Sequence, residues 1–283
     1  MKNIYMIGIG LIGGSFAIDI KNNNPEVVIH GISRKDATLN KALELNLIDK
    51  KATLDDLKNA DLVIVSIPVD ATVKMLPTIL DNISDNTLVI DAGSTKEAIC
   101  KVVEHHPKRR NFLACHPIAG TENSGPTAAI SGLYVEKTNI ICEVEKTTFK
   151  LQEKALELFS AIGMRIRYMD PVSHDKHIAY VSHLSHISAF MLGKTVINKE
   201  KNERDIFDMA GSGFRSTVRL AKSSPAMWTP IFKQNKDNVI ETLENYINNL
   251  QHFKELMEQD NFSEIFNEME NTNYIKQILN GIK

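Results

Sequence analysis

The glycine pattern near the start of the chain constrains the fold more than any other feature. Gly8, Gly10 and Gly13 follow an apolar run that starts at Ile4, and they open a helical pattern over residues 11–21. A strand, a GxGxxG turn and a helix in this order are typical of a dinucleotide-binding unit. The glycines allow a tight turn, close approach of a pyrophosphate and close packing of helix on strand. A glycine-rich turn without a ligand is the alternative. The motif predicts cofactor contacts at Gly8, Gly10, Leu11, Ile12 and Gly13.

Short β-branched runs alternate with longer amphipathic stretches over the first 170 residues. This alternation is typical of βαβ units and a parallel sheet. The runs predicted as strands are 4–9, 27–32, 62–67, 87–91, 112–115, 139–144 and 165–168. Several of them are apolar on both faces, as expected for strands covered by helices on both sides. We predict an α/β chain whose first domain, residues 1–170, is a Rossmann-type doubly wound sheet.

Beyond Asp170 and Pro171 the periodicity is helical to the last residue. Apolar residues recur there at intervals of about three and four, for example Val239, Leu243, Ile247, Leu250, Phe253 and Met257. We therefore predict an all-helical second domain over residues 171–283. Long helices with an apolar face often pack across a two-fold axis, so we expect this domain to form a homodimer.

The composition limits the classes of partner and compartment. The 33 basic and 35 acidic residues give a net charge of −2, which favours neither a nucleic-acid nor a membrane partner. The chain begins without a leader pattern, and no apolar run approaches the roughly 20 residues that span a bilayer. Cys100, Cys115 and Cys142 are too few and too widely spaced for a disulfide framework. We expect a cytoplasmic protein that binds a small molecule.

The residues that follow the second predicted strand bear on the choice of cofactor. NAD-specific sites usually carry an acidic residue there, about 20 residues after the glycine motif. This chain has Ser33 and Arg34 instead, which suit a 2′-phosphate better than a free hydroxyl. The alternative is a solvated basic loop in which Asp36 holds the ribose. We expect NAD or NADP, with these residues favouring NADP, and we add Ser66 and Pro68 to the predicted cofactor contacts.

Two polar clusters follow predicted strands, at the edge where open α/β sheets bind ligands. Residues 91–96 read DAGSTK, and residues 116–122 read HPIAGTE. His116 is a candidate general base because an unperturbed histidine exchanges its proton near neutral pH. A structural histidine that caps a turn is the alternative.

Residues 173–190 contain four histidines. At 100° per residue, Asp175, Ser182, His183 and His186 fall within an arc of about 100°. His174 and His177 project to the opposite side, so the four side chains do not form one metal site. The spacing of His183 and His186 also differs from that of helical zinc ligands, and we predict no metal. The face either lines a cleft or belongs to a hydrogen-bonded network between helices.

Arg215 and Arg219 are four residues apart and would share one face of a helix. Two guanidinium groups arranged in this way suit a substrate with more than one carboxylate. A solvated face or an interface salt bridge explains them equally well. Trp228, the only tryptophan, is predicted to be a packing anchor.

Taken together, these segments resemble the prephenate dehydrogenase family. The resemblance rests on GIGLIGGS, DAGSTK, HPIAGTENSG, DKHIAYVSHLSH and GSGFRSTVRLAKSSPAMW, in this order along most of the chain. It implies a Rossmann domain and a helical dimerisation domain with the active site between them. It also implies oxidative decarboxylation of prephenate to 4-hydroxyphenylpyruvate in tyrosine biosynthesis, with hydride transfer to NAD(P)+.

The resemblance further implies a role for each predicted site residue. His116 would take the proton of the ring hydroxyl, and Ser94 would help to hold His116 and that hydroxyl. Arg219 would bind a substrate carboxylate, with Arg215 near the side-chain end. The remaining substrate contacts would be Thr121 at the substrate edge, His183 and His186 ordering the pocket, and Asp175 and Glu122 in a supporting ionic network.

Other functions remain open from the sequence. An arogenate dehydrogenase would act on the amino acid analogue of prephenate, although a cationic Arg215 favours the pyruvyl substrate. A β-hydroxyacid dehydrogenase or imine reductase shares the domain pattern but usually relies on a lysine in its helical domain as the proton donor. A cofactor-binding sensor without catalysis would not require His116.

Overall fold

The structure is a computed structural model that describes residues 1–201 and 205–281. Its described part contains eight strands, β1 (Asn3–Ile7), β2 (Val28–Ile32), β3 (Lys50–Lys51), β4 (Leu62–Val65), β5 (Leu88–Asp91), β6 (Phe112–Pro117), β7 (Thr138–Cys142) and β8 (Arg165–Met169). They form one sheet with the strand order β3-β2-β1-β4-β5-β6-β7-β8. All seven predicted strands are confirmed. The additional strand, β3, has two exposed lysines and therefore no apolar pattern to predict it.

The sheet is not entirely parallel, which corrects the prediction for its far edge. Strands β1 to β6 pair in parallel, but β7 runs antiparallel to β6. The connection of residues 118–137 contains only a short 3-10 turn, Pro126–Ala128, in place of a crossover helix. Without such a crossover the chain turns back beside its own strand. This connection therefore starts and ends at the edge of the sheet where His116 lies.

Helices cover both faces of the sheet, as the doubly wound prediction requires. They are α1 (Leu11–Asn23), α2 (Asp36–Glu44), α3 (Val69–Asn82), α4 (Glu97–Val102) and α5 (Phe149–Ala161). Alternate strand residues enter two separate cores because successive side chains point to opposite faces. Met6, Ile64 and Ile90 pack in the core with α1 and α5 residues, whereas Val63 and Val89 pack in the core with α3 residues.

The chain is helical beyond β8. Asp170 precedes α6 (Pro171–Ile178) and caps it by accepting a 2.9 Å hydrogen bond from the Ser173 amide. A π-helical turn, Ala179–His183, joins α6 to α7 (Leu184–Glu200). The later helices are α8 (Ser212–Thr217), the 3-10 helix Arg219–Lys222, α9 (Pro225–Gln234), α10 (Lys236–Glu258), α11 (Phe262–Thr272) and α12 (Ile275–Gly281).

Residue contacts divide the chain into two compact units, Met1–Asn235 and Lys236–Lys283. The first unit contains the sheet and helices α1 to α9, and in the second α10 packs on α11. The domain boundary predicted at residue 170 stays a prediction, and residues 202–204 and 282–283 of its second domain lie outside the described residues. No helix in the described ranges is long and apolar enough to span a membrane.

Candidate active site

The glycine turn lies at the carboxyl end of β1 and has little room for side chains. Gly8 has φ +91°, and a Cβ there would lie 2.5 Å from the Ser66 carbonyl oxygen. A Cβ on Gly13 would lie 2.2 Å from the Gly8 carbonyl oxygen, which also accepts a 2.7 Å hydrogen bond from Ser66 Oγ. Gly10, in contrast, has an open face. This cradle fits the pyrophosphate of a dinucleotide at the start of α1.

The other predicted cofactor residues lie at the start of α1 and just beyond β2 and β4. Leu11 is buried, and the Ile12 carbonyl accepts a 2.6 Å hydrogen bond from Tyr134 Oη. Ser33 is partly buried and Arg34 is exposed just beyond β2, and Pro68 is exposed before α3. Asp36, the alternative ribose ligand, lies 3.4 Å from Lys51 Nζ at the surface.

A buried ion pair supports the strand that carries His116. Lys96 is fully buried, and its Nζ donates to the Asp91 carboxylate and to the Cys115 carbonyl oxygen. Asp91 Oδ1 in turn accepts a 3.0 Å hydrogen bond from the Cys115 amide. The pair therefore holds both backbone polar groups of the residue that precedes His116. The sequence marked this segment as a cluster but assigned a role only to Ser94.

His116 belongs to a hydrogen-bonded chain of two histidines and one carboxylate. His116 Nδ1 lies 2.8 Å from His174 Nε2, and His174 Nδ1 lies 2.7 Å from Asp175 Oδ1. The Asp175 carboxylate also accepts from the Lys96 and Glu97 amides at 2.7 and 3.0 Å. An ionised carboxylate only accepts hydrogen bonds, so His174 carries its proton on Nδ1 and accepts at Nε2. His116 must then donate from Nδ1, which leaves a lone pair on Nε2.

The surroundings keep this chain of histidines neutral. Burial lowers the pKa of His116 well below its ordinary value, and the nearby His174 and Lys96 act in the same direction. Burial also lowers the pKa of His174, although its hydrogen bond to Asp175 opposes the effect. At neutral pH, His116 is therefore an unprotonated base whose Nε2 has no hydrogen-bond partner among residues 1–201 and 205–281.

The prediction that His174 points away from the functional face was wrong. His174 is buried against His116, whereas His177 is exposed. The projection assumed 100° per residue throughout residues 173–190, but the π-helical turn Ala179–His183 has more residues per turn. The turn shifts the phase of α7 relative to α6. Positions on the two helices therefore cannot be placed on one wheel.

His183 and His186 belong to a second group next to this chain. His183 Nδ1 lies 3.2 Å from Asn235 Nδ2, which also donates to the Asp175 carbonyl oxygen at 2.6 Å. Burial lowers the pKa of His183 to about 4. The His186 ring stacks on Trp228 with centroids 3.5 Å apart, and its Nδ1 donates to the Ser182 carbonyl oxygen. His183 thus lies in a network between helices, the alternative left open by the sequence.

The two arginines lie on different elements, which corrects the prediction of a shared helix face. Helix α8 ends at Thr217, and Arg219 begins the following 3-10 helix. Arg219 Nη1 donates to Glu122 Oε2 at 2.8 Å, and the side chains of both arginines are exposed. Glu122 and Asp175 therefore have different partners, Arg219 for Glu122 and His174 for Asp175.

The remaining predicted residues are placed nearby or at the surface. Thr121 is exposed, and its Oγ1 accepts a 3.2 Å hydrogen bond from the Asn123 amide. Ser94 is partly buried in the turn after β5. The Nδ1 atom of His116 is hydrogen-bonded to His174 and not to Ser94, so the predicted role of Ser94 in holding His116 stays a prediction. No group of three or more possible metal ligands occurs in the described part of the chain.

Comparison with known proteins identifies the family of this chain. The family model of the prephenate dehydrogenase nucleotide-binding domain matches residues 16–168, and that of the prephenate dehydrogenase dimerization domain matches residues 170–271. The chain belongs to the prephenate dehydrogenase family. It is 33% identical over 267 residues to prephenate dehydrogenase of Bacillus subtilis, which covers 93% of this chain and 72% of the relative.

Solved structures of the prephenate dehydrogenase family share the fold. The Aquifex aeolicus prephenate dehydrogenase in complex with hydroxyphenyl propionate and NAD+ has a TM-score of 0.89 at 30% identity, over 99% of this chain and 98% of that one. Arogenate dehydrogenase of Synechocystis gives a TM-score of 0.76 at 26% identity, over 97% and 99%. The Rossmann-type sheet and the helical C-terminal region of this chain are therefore features of the family.

Proposed function

We propose that this chain converts prephenate to 4-hydroxyphenylpyruvate and CO₂ with reduction of NAD+, a step in tyrosine biosynthesis. The observation that carries the proposal is the orientation of His116, whose Nε2 is left as a free base by the Asp175–His174 chain, at the same edge of the sheet as the glycine turn. The names of the relatives and their similarity over nearly the whole chain support the same reaction.

When bound, NAD+ supplies the hydride acceptor. His116 Nε2 takes the proton of the ring hydroxyl as hydride leaves the same carbon, so a carbonyl forms without an intermediate alkoxide. The positive charge that develops on His116 is stabilised through His174 by the Asp175 carboxylate. Loss of the ring carboxylate as CO₂ leaves its electron pair in the ring, which becomes aromatic. His116 then returns its proton to the phenolate oxygen.

Arg219 is proposed to bind one of the two substrate carboxylates. We expect Arg219→Gln to raise the KM for prephenate by about 10- to 100-fold, with a smaller change in kcat, because a charge-assisted hydrogen bond is lost from the bound substrate. Steady-state kinetics measure both constants. Lys222→Gln removes an exposed charge at the end of the same 3-10 helix, which acts on Glu122 without a hydrogen bond and less strongly than Arg219, and should change KM far less. An unaltered KM in Arg219→Gln contradicts this role.

The reaction is tested by the absorbance of reduced nicotinamide, with each pairing of prephenate or arogenate with NAD+ or NADP+. We expect turnover of prephenate with NAD+. The chain also offers Ser33 and the exposed Arg34 to a 2′-phosphate, and from these residues we propose that NADP+ is accepted as well. Turnover of arogenate alone would assign the chain to the alternative substrate. Silence in all four pairings, with cofactor binding intact, contradicts a dehydrogenase.

We propose that the active protein is a homodimer. Exposed apolar side chains on α10 and α11, among them Ile247, Leu250, Phe262 and Phe266, together with the name of the matching C-terminal family model, support this assembly. Light scattering measures the mass. The cytoplasmic location and the absence of nucleic-acid and membrane partners stay predictions from the sequence.

A further inference from the structure

The connection that follows His116, residues 118–137, is attached along the cofactor-binding helix α1. Asp19 Oδ1, near the end of α1, accepts from the Gly132 amide at 2.8 Å and from Ser131 Oγ at 3.0 Å. Ser15 Oγ accepts from the Ile130 amide at 3.0 Å. At Gly14 the two segments nearly touch, because a Cβ there would lie 2.6 Å from the Ala129 Cβ. The connection is therefore held in a fixed position relative to the glycine turn.

Gly125 lies at the point where this connection passes Gly10. The Gly125 amide nitrogen is 3.9 Å from the position of a Cβ on Gly10. Apart from Gly10 and its chain neighbours Ile9 and Leu11, no other atom of the described residues lies within 4 Å of that position. Gly10 is the glycine whose backbone approaches the pyrophosphate in a GxGxxG turn. An atom beside this face of Gly10 is therefore beside the path of the cofactor.

The backbone of Gly125 has a conformation that other residues do not adopt. Its φ and ψ are 85° and 174°, a region populated almost only by glycine. Crowding does not explain the glycine, since a Cβ on Gly125 would meet no atom within 4 Å. Glycine is thus required at this position because of the directions in which the backbone places the two peptide groups of Gly125. Backbone conformations that only glycine adopts often occur where the backbone approaches a ligand closely.

The Gly125 N–H group is also available as a donor. Within residues 1–201 and 205–281 the only hydrogen bond of this residue is one that its carbonyl oxygen accepts from the Ala128 amide. Backbone N–H groups beside a glycine turn bind phosphate oxygens with a charge-assisted hydrogen bond.

We propose that the Gly125 backbone N–H binds the pyrophosphate of the dinucleotide beside Gly10. The inference rests on the dinucleotide site of the proposed function, but it is independent of the substrate. The same connection begins one residue after Pro117, at the end of the strand that carries His116. Its contact with the cofactor therefore links the position of the pyrophosphate to the strand of the catalytic base.

The first test compares ligand affinities by calorimetry without substrate. Alanine keeps the N–H group but does not adopt the φ and ψ of Gly125, so the N–H turns away from the pyrophosphate. We therefore expect Gly125→Ala to weaken NAD+ and ADP by about tenfold each, the effect of one charge-assisted hydrogen bond, and to leave adenosine unchanged because it lacks phosphate. Gly132→Ala is the matched control, since Gly132 also has a positive φ of 73° and space for a Cβ but lies near the far end of the connection. Equal affinities in the two variants and the native chain overturn the inference.

A second measurement leaves the loop unaltered. The ¹⁵N–¹H signal of the Gly125 amide in the native full-length protein should shift when ADP is added and should not shift with adenosine. A signal that stays in place with saturating ADP overturns the proposal even if Gly125→Ala weakens binding through misfolding of the connection. Failure of these tests in a protein that still reduces NAD+ with prephenate leaves the proposed function standing. A native chain that binds no NAD+ contradicts both.

Discussion

Replacement of His116 with glutamine is expected to lower kcat for prephenate oxidation by about 10²- to 10⁴-fold, the usual contribution of a positioned general base. The amide keeps much of the shape of the side chain but cannot take the hydroxyl proton. The Kd for NAD+ should stay unchanged, since His116 lies at the end of β6 and the glycine turn at the end of β1. Stopped-flow or steady-state absorbance measures kcat, and calorimetry measures Kd.

The pH dependence of kcat/KM tests the same role of His116. A base must be unprotonated, so kcat/KM should be constant above the pKa of His116 and fall as the pH drops through it. Because burial lowers that pKa well below the ordinary value of 6.5, activity should persist through pH 6.5 and be lost only in more acidic solution. This acidic limb should be absent from the residual activity of His116→Gln.

His177→Gln is the matched control for His116→Gln. His177 is an exposed histidine on α6, three residues from His174, and its replacement should leave both kcat and the pH profile unchanged. If His116→Gln turns over at the native rate, His116 is not the base and the mechanism is wrong.

Replacement of Lys96 with methionine is expected to lower the free energy of unfolding by about 3–5 kcal/mol, the cost of leaving a buried charge without its partner. Asp91 and Lys96 both have fully buried side chains, and Asp91 keeps its hydrogen bonds to the Gly93 and Cys115 amides. Chemical denaturation followed by circular dichroism measures the loss.

Two further variants separate the charge from the side chain. Lys101→Met removes an exposed lysine from α4 and should change the unfolding free energy by no more than about 0.5 kcal/mol. In the double variant Asp91→Asn, Lys96→Met the buried site is neutral, so part of the loss should be recovered. A cost below about 1 kcal/mol for Lys96→Met alone would contradict the prediction that the buried Asp91 side chain depends on Lys96 as its counter-ion.

The sequence predicted the parts of the fold that depend on local pattern. The glycine turn, the seven longer strands and the helical C-terminal region follow from periodicity and from glycines at fixed spacing. His116 was recognised because it directly follows an apolar strand, at the edge where such sheets bind ligands. These features require only neighbouring residues and the general rules for parallel sheets.

The contacts that the sequence did not predict occur where the helices depart from regular α-helical geometry or where residues distant in sequence meet. The π-helical turn Ala179–His183 shifted α7 relative to α6, and the end of α8 at Thr217 separated Arg215 from Arg219. The contact of His174 with His116 joins a helix to a strand distant in sequence, which no helical projection contains. The Asp91–Lys96 pair had a weak signal, a lysine five residues after a strand-end aspartate. The burial of this pair depends on residues distant in sequence, such as Cys115, and therefore could not be predicted from the local pattern.

The buried Asp91–Lys96 pair also bears on how this chain can diverge. A descendant that loses only one of the two charges must bury the other without a counter-ion, whereas one that loses both does not. A single substitution at either position therefore gives a less stable protein, because the remaining charge stays buried without its partner. We therefore expect Asp91 and Lys96 to be conserved together or replaced together, so that the two positions covary among descendants of this chain.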